Sequence, residues 1–209
     1  MNYLVIIADI IESKKLADRK NVQSLLKKEL IQINNKSKDL ISPFTITLGD
    51  EFQAVYINGN SLLRDLIHVI VKLYPVRIRF SVGYGLISTE INRDAALGMD
   101  GPAFYQAREG MSMLKKGTYT LIKFFNLPLK CDYLINSSLN LFMSIMADWK
   151  QNTLYIFYEL LQNKSVKEIA ETLGISERAI YKTVTIHRLR NFVDYFSALE
   201  IQIRSITSV

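Results

Sequence analysis

The chain is short of the residues that hold small folds together covalently or through metal. Cys131 stands alone, so no disulfide can close within the chain, and His68 and His187 lie too far apart in sequence to form a zinc motif. All three read as packing or surface residues. Uninterrupted apolar stretches are also scarce. The nearest to a bilayer-spanning segment, residues 61–76, is broken by Arg64, Asp65, His68 and Lys72. The first apolar run is cut by Asp9 and Glu12, follows no basic segment and ends in no small-residue cleavage site, so it reads as a buried strand and not as a secretory signal. Neither an internal repeat nor a low-complexity tract is found. These absences lead to the expectation of a cytoplasmic protein without membrane attachment.

What is present is enough for a sizeable core. Of 209 residues, 49% are hydrophobic, which suits two domains, placed at 1–128 and 129–209 with the join at 126–130. A net charge of +6 biases the chain toward anionic partners. That charge is concentrated: between Lys14 and Lys38 eight Lys and Arg residues face Asp18 and Glu29 alone.

The organising stretch is TITLGDEFQAVYI, residues 45–57. Two short strands joined at Gly49-Asp50 would lift the acidic pair Asp50-Glu51 onto a hairpin tip. A solvated turn would look the same. A second acid in matching surroundings, Asp9, ends the apolar run from Tyr3 to Ala8. If that run is the central strand beside the hairpin, Asp9 and Asp50 come from neighbouring strand ends and can share divalent cations. The following Ser13-Lys14-Lys15 supplies a hydroxyl and two ammonium groups that could hold phosphate.

Periodicity orders the remainder. A helix is expected from Asp18 to Asn34 with Val22, Leu25, Leu26, Leu30 and Ile33 on one stripe, then a loop to Pro43, the hairpin, and a helix from Leu62 to Tyr74. The alternating strand Val76 to Leu86 follows; its Gly83 and Gly85 suit close approach of backbone or ligand. A helix from Ala103 to Leu114 behind Pro102 and a strand from Tyr119 to Phe125 complete the first part. Its first six elements give an α+β, ferredoxin-like (βαββαβ) domain with both helices on one face of an antiparallel sheet. Beyond the join, helices are expected over 137–149, 153–161, 166–173, 177–187 and 188–203.

Taken together, Ala8-Asp9-Ile10, the hairpin Leu48-Gly49-Asp50-Glu51-Phe52, the strand Arg77 to Gly85 and the helix opened by Gly101-Pro102-Ala103-Phe104-Tyr105-Gln106-Ala107-Arg108 resemble a class III nucleotidyl cyclase domain. The whole chain, helical tail included, resembles the bacterial SatD family. The cyclase resemblance implies Mg²⁺ or Mn²⁺ held by Asp9, Asp50 and the backbone carbonyl of Ile10, with nucleotide or other phosphate met by Ser13, Lys14, Lys15 and Arg108. If the site is active, Asp9 and Asp50 are its catalytic residues. It also implies a possible homodimer. The Asn and Arg that such cyclases carry on this helix have no match, because their places fall on Tyr105 and Glu109. Arg108 is one residue off, about 100° around the helix.

In the tail, Ser165 and Glu168 fit a capping box, Gly174 a turn, and Ser176 a second cap; Ile175 and Ile180 are expected to fill the space between the two helices. This is a helix-turn-helix pattern, forming an all-α second domain. Arg178, Tyr181, Lys182 and Thr185 lie on the outward positions of its second helix and become the candidate DNA contacts. Three readings follow: a cytoplasmic regulator joining a nucleotide-binding and metal-binding cyclase-like domain to a DNA-binding tail; a phosphotransfer-type enzyme acting at Asp9 and Asp50; or an interaction module with both sites inactive.

Overall fold

The computed structural model describes residues 1–117 and 121–207. Its centre is a five-stranded mixed sheet in the order β2-β3-β1-β4-β5. Strand β1 (Tyr3–Ile10) lies in the middle, antiparallel to both β3 (Glu51–Tyr56) and β4 (Ile78–Gly85). A strand covered on two faces must be apolar on both. Leu4, Ile6, Ala8 and Ile10 point to one layer, Val5 and Ile7 to the other. Strand β2 (Leu40–Leu48) pairs antiparallel with β3 at the sheet edge. It begins earlier than expected and runs through Pro43, which the sequence reading placed in a loop. A proline is tolerated here because β2 is an edge strand whose register slips between Ser42 and Thr45. Strand β5 (Ile122–Phe125) runs parallel to β4. The expected strand residues Tyr119 and Thr120 lie outside the described residues.

Helices α1 (Arg19–Lys36) and α2 (Leu62–Leu73) cover one face of the sheet, and α3 (Pro102–Lys116) covers the other. Asp18 caps α1 by accepting from the Asn21 amide at 3.1 Å. Leu26, Leu30 and Ile33 are buried as the stripe predicts, whereas Leu25 is exposed: three buried positions already fill the contact with the sheet. The α3 face depends on Gly83. A Cβ at that position would sit 2.2 Å from the Ala103 carbonyl oxygen and 2.5 Å from the Ala107 nitrogen. Both are backbone atoms, so α3 lies flat on β4 only because that side chain is missing. The close approach anticipated from sequence is therefore one of helix to strand. It also sets the position of the far end of α3 above the end of β1.

Five helices follow: α4 (Asp132–Met146), α5 (Gln151–Leu161), α6 (Val166–Leu173), α7 (Glu177–Ile186) and α8 (Leu189–Thr207). Helix α4 begins and ends earlier than the 137–149 expected. Aromatic rings weld the tail together, with Phe142 4.7 Å from Phe196 and 5.4 Å from Phe157 between centroids. One apolar core runs continuously from the sheet through α2 into these helices. Across that seam Arg64 donates to both carboxylate oxygens of Glu200 at 2.8 and 2.9 Å. The α6–α7 pair has both caps: Ser165 and Glu168 close a reciprocal capping box, and Ser176 accepts from the Ala179 amide at 3.3 Å. Ile180 is fully buried between them, but Ile175 is 36% exposed, against expectation. Ile169, Ile180 and Val184 close that gap without it. Among the described residues no helix is long and apolar enough to cross a membrane.

Candidate functional site

The β2–β3 connection is a two-residue turn at Gly49-Asp50, with Leu48 opposite Glu51. Gly49 has φ +63°, the left-handed conformation such a reversal needs. Asp9 lies directly opposite Glu51 on one side and opposite Arg79 on the other. Residues facing one another across antiparallel strands share a face, so Arg79, Asp9 and Glu51 form a charged row across three strands. Above this row the last turn of α3 brings Lys115. Its Nζ is 3.5 Å from Asp9 Oδ2 and 3.8 Å from Glu51 Oε2, while Arg79 Nη1 is 3.6 Å from Asp9 Oδ1. Asp9 has only 13% of its side chain exposed, and its Oδ1 is buried without a hydrogen-bond donor among the described residues. A buried carboxylate oxygen held by charge alone still has unused capacity for a cation or a donor.

Asp50 is held differently. Its carbonyl accepts from the Ile10 amide at 3.1 Å, which ties the turn to the end of β1, and its carboxylate accepts from the buried Ser13 hydroxyl. Gln23 of α1 donates to the Gly49 carbonyl at 2.8 Å. Asp9 and Asp50 thus come from neighbouring strand ends but have no side-chain partner in common among the described residues. The carboxylates that share a cation are Asp9 and Glu51. Lys14 is exposed, and Lys15 is bound to Glu12 at 2.6 Å on the protein surface.

A model described as the SatD family matches residues 3–200. The chain belongs to the SatD family. No curated protein matches. Among solved structures, this SatD-family chain is similar to a bacterial light-regulated adenylyl cyclase, with TM-score 0.45, 17% identity, and coverage of 59% of this chain and 43% of that one. A second structure of a bacterial light-regulated adenylyl cyclase gives TM-score 0.42 and 16% identity over 59% and 74% of the two chains. The SatD-family chain therefore spans less than half the length of the first.

Arg108 is not part of the carboxylate row of this SatD-family chain. It precedes Lys115 by two turns of α3, about 10 Å of helix rise. Its guanidinium pairs with Asp100 Oδ1 at 3.1 Å and lies 5.6 Å from the Phe104 ring centroid. Tyr105 donates to the other Asp100 oxygen at 2.8 Å, and Glu109 is exposed. Both contacts hold Asp100 below the usual carboxylate range, the Tyr105 hydroxyl most strongly.

The residues at the hairpin have the chemistry of a hard-cation site. Among the described residues no group of three or more His, Cys, Asp or Glu could hold a metal alone. Mg²⁺ in phosphate chemistry is commonly bound by one or two carboxylates, with substrate oxygens and water completing the shell. Asp9, with its unpartnered oxygen, and Glu51 match that donor set, and Asp50 stands next in chain. Lys115 and Arg79 together balance the two charges of the pair, and Lys115, with 46% of its side chain exposed, is the cation open to solvent. In the tail, Arg178, Tyr181, Lys182 and Thr185 are all exposed on α7.

A second polar centre was missed from the sequence. His68 of α2 is neither a bare surface residue nor mere packing. Its Nε2 lies 2.8 Å from Glu29 of α1 and its Nδ1 2.6 Å from the Tyr158 hydroxyl of α5. Burial lowers the His68 pKa, opposed by Glu29, so the neutral ring donates from Nε2 and accepts from Tyr158. Next to it, Asp65 accepts from Tyr56 at 2.7 Å, and burial pushes its carboxyl up to about 6. A lone His within a helix gives no sign of such partners. Arg79 and Lys115 were legible only as members of a polar strand face and a basic helix end.

Proposed function

We propose that this SatD-family protein is a cytoplasmic regulator whose ferredoxin-like, cyclase-like sheet domain binds a phosphate ligand and whose α6–α7 pair is a helix-turn-helix that binds DNA. The observation that carries the DNA half is the surface of α7: four side chains suited to phosphates and base edges are exposed together on a helix capped by Ser176 and seated by a buried Ile180. The sheet order β2-β3-β1-β4, antiparallel throughout, supports the ferredoxin-like reading. Mobility-shift assays on fragments of the source genome test the DNA half. Salt-sensitive binding weakened by Arg178→Ala and Lys182→Ala is expected; no retained fragment at low salt refutes it.

The phosphate half rests on the buried Asp9 oxygen that accepts no hydrogen bond among the described residues, beside Glu51. When bound, Mg²⁺ or Mn²⁺ would neutralise phosphate charge there. Asp9 and Glu51 would be its carboxylate ligands, with Asp50 next in chain and the Ile10 carbonyl as further donors. Ser13 fixes the Asp50 carboxylate, and Lys115 balances the acids until a cation displaces it. Catalysis is a second reading only if the chain forms a homodimer, because Arg108 lies two turns from the acids within one chain. Lys115→Gln should bind Mn²⁺ more tightly than the unsubstituted protein by calorimetry, and Asp9→Asn should abolish that binding. Equal affinities in Lys115→Gln and the parent would remove Lys115 from the site.

A further inference from the structure

A separate cavity lies elsewhere. It has a volume of about 640 Å³ and lies where the end of α1 and the length of α2 meet α5, sharing no residue with the hairpin row. We propose that it binds a phosphate monoester of a hydroxylated small molecule, such as a sugar phosphate or a nucleoside monophosphate.

The volume falls in the range of small-ligand sites, about 300–1,000 Å³. Five cationic side chains line it, and two are already spent. Arg64 is engaged by Glu200 and the Leu161 carbonyl, and Lys164 by Glu159 at 2.6 Å. Lys36, Lys38 and Lys72 have no carboxylate within ion-pair distance among the described residues. Lys36 bonds only to the Gln162 amide oxygen at 3.4 Å, and Lys72 lies over the Tyr155 and Tyr158 rings at 5.2 and 5.6 Å. Lys36, Lys38 and Lys72 all line the cavity together with His68. Three unspent ammonium groups suit a dianion better than a single carboxylate.

The same cavity also carries hydroxyls and acids. Ser37 and Ser61 place their hydroxyls 2.8 Å apart, and both contact the Asp65 carboxyl, with Asp39 beside them. Asp65 is largely buried and forms no ion pair among the described residues, which costs stability. Such a group is well placed to accept from ligand hydroxyls. Phosphate at the unspent lysines with ligand hydroxyls at Ser61 and Asp65 uses both kinds of group, and the occupant would touch α1, α2 and α5 together.

Calorimetry on the full chain tests this, with AMP and glucose 6-phosphate as probes against adenosine, glucose and inorganic phosphate. At least one ester should bind below about 1 mM, and about tenfold or more tighter than inorganic phosphate or its own dephosphorylated parent. Lys36→Gln with Lys72→Gln should weaken it at least about tenfold, and the exposed Lys36→Glu alone should do so where the double variant fails to fold. Lys150→Gln, an exposed lysine that lines neither this cavity nor the hairpin row, should leave it unchanged. Absence of ester binding, inorganic phosphate binding as tightly as the esters, or insensitivity to both lysine variants would overturn the proposal.

Discussion

Replacing Asp65 by Asn should stabilise the protein, and only at neutral pH. The carboxyl is shifted from an ordinary 3.8 to about 6, chiefly by burial, with the nearby Asp39 adding to the rise. Hydrogen bonds from Tyr56, Ser37 and Ser61 pull the other way and do not offset it. The sign follows from proton counts. Below the unfolded value both states carry the neutral acid and the group costs nothing. Between the two values the folded state binds more protons, so stability declines as pH rises. Above the folded value both states are ionised and the full cost is present. A difference of roughly two pH units at about 1.4 kcal/mol each gives about 3 kcal/mol near neutrality, falling to about 0.5 kcal/mol near pH 4. Asn presents a carbonyl oxygen to the Tyr56 hydroxyl and removes the charge. Urea unfolding of parent and variant at about pH 7.5 and at about pH 4 measures both limits. A variant no more stable at neutral pH, or one equally more stable at both pH values, would refute a cost from buried charge.

Other substitutions probe separate parts of the structure. Gly83→Ala must push α3 away from β4 and should cost at least about 2 kcal/mol in denaturant midpoint analysis; a neutral result would mean that α3 is not seated on the strand. His68→Leu strips Glu29 of its hydrogen-bond donor in a buried setting and should cost about 2–3 kcal/mol. Its companion Glu29→Gln, which keeps an acceptor, should cost less by the same measurement. Ser165→Ala breaks the capping box and should lower stability by about 1 kcal/mol, with earlier amide exchange in α6 than in α2.

Much of the layout was legible because periodicity reports burial. The alternation of Ile78, Phe80 and Val82 and the stripe Leu26, Leu30, Ile33 both end in the core. The caps at Asp18, Ser165 and Ser176 were legible because capping is local chemistry, complete within four residues. The start of β2 was not, since only its edge position lets Pro43 reside in a strand. At the hairpin, sequence placed Asp9 and Asp50 on adjacent strand ends, but pairing register decides which acids share a face. That register sets Glu51, not Asp50, opposite Asp9. Lys115 arrives from the other layer, at a height fixed by Gly83, and no local pattern carries that information. The Glu29–His68–Tyr158 chain joins three helices and is invisible for the same reason.

The seam between α2 and the tail has a mechanical consequence. Because the apolar core is unbroken across it and Arg64 of α2 clamps Glu200 of α8, α8 is tied directly to the helix that covers the sheet. A molecule filling the space beside α2 would therefore press on α5 directly and reach α7 only through the helices between them.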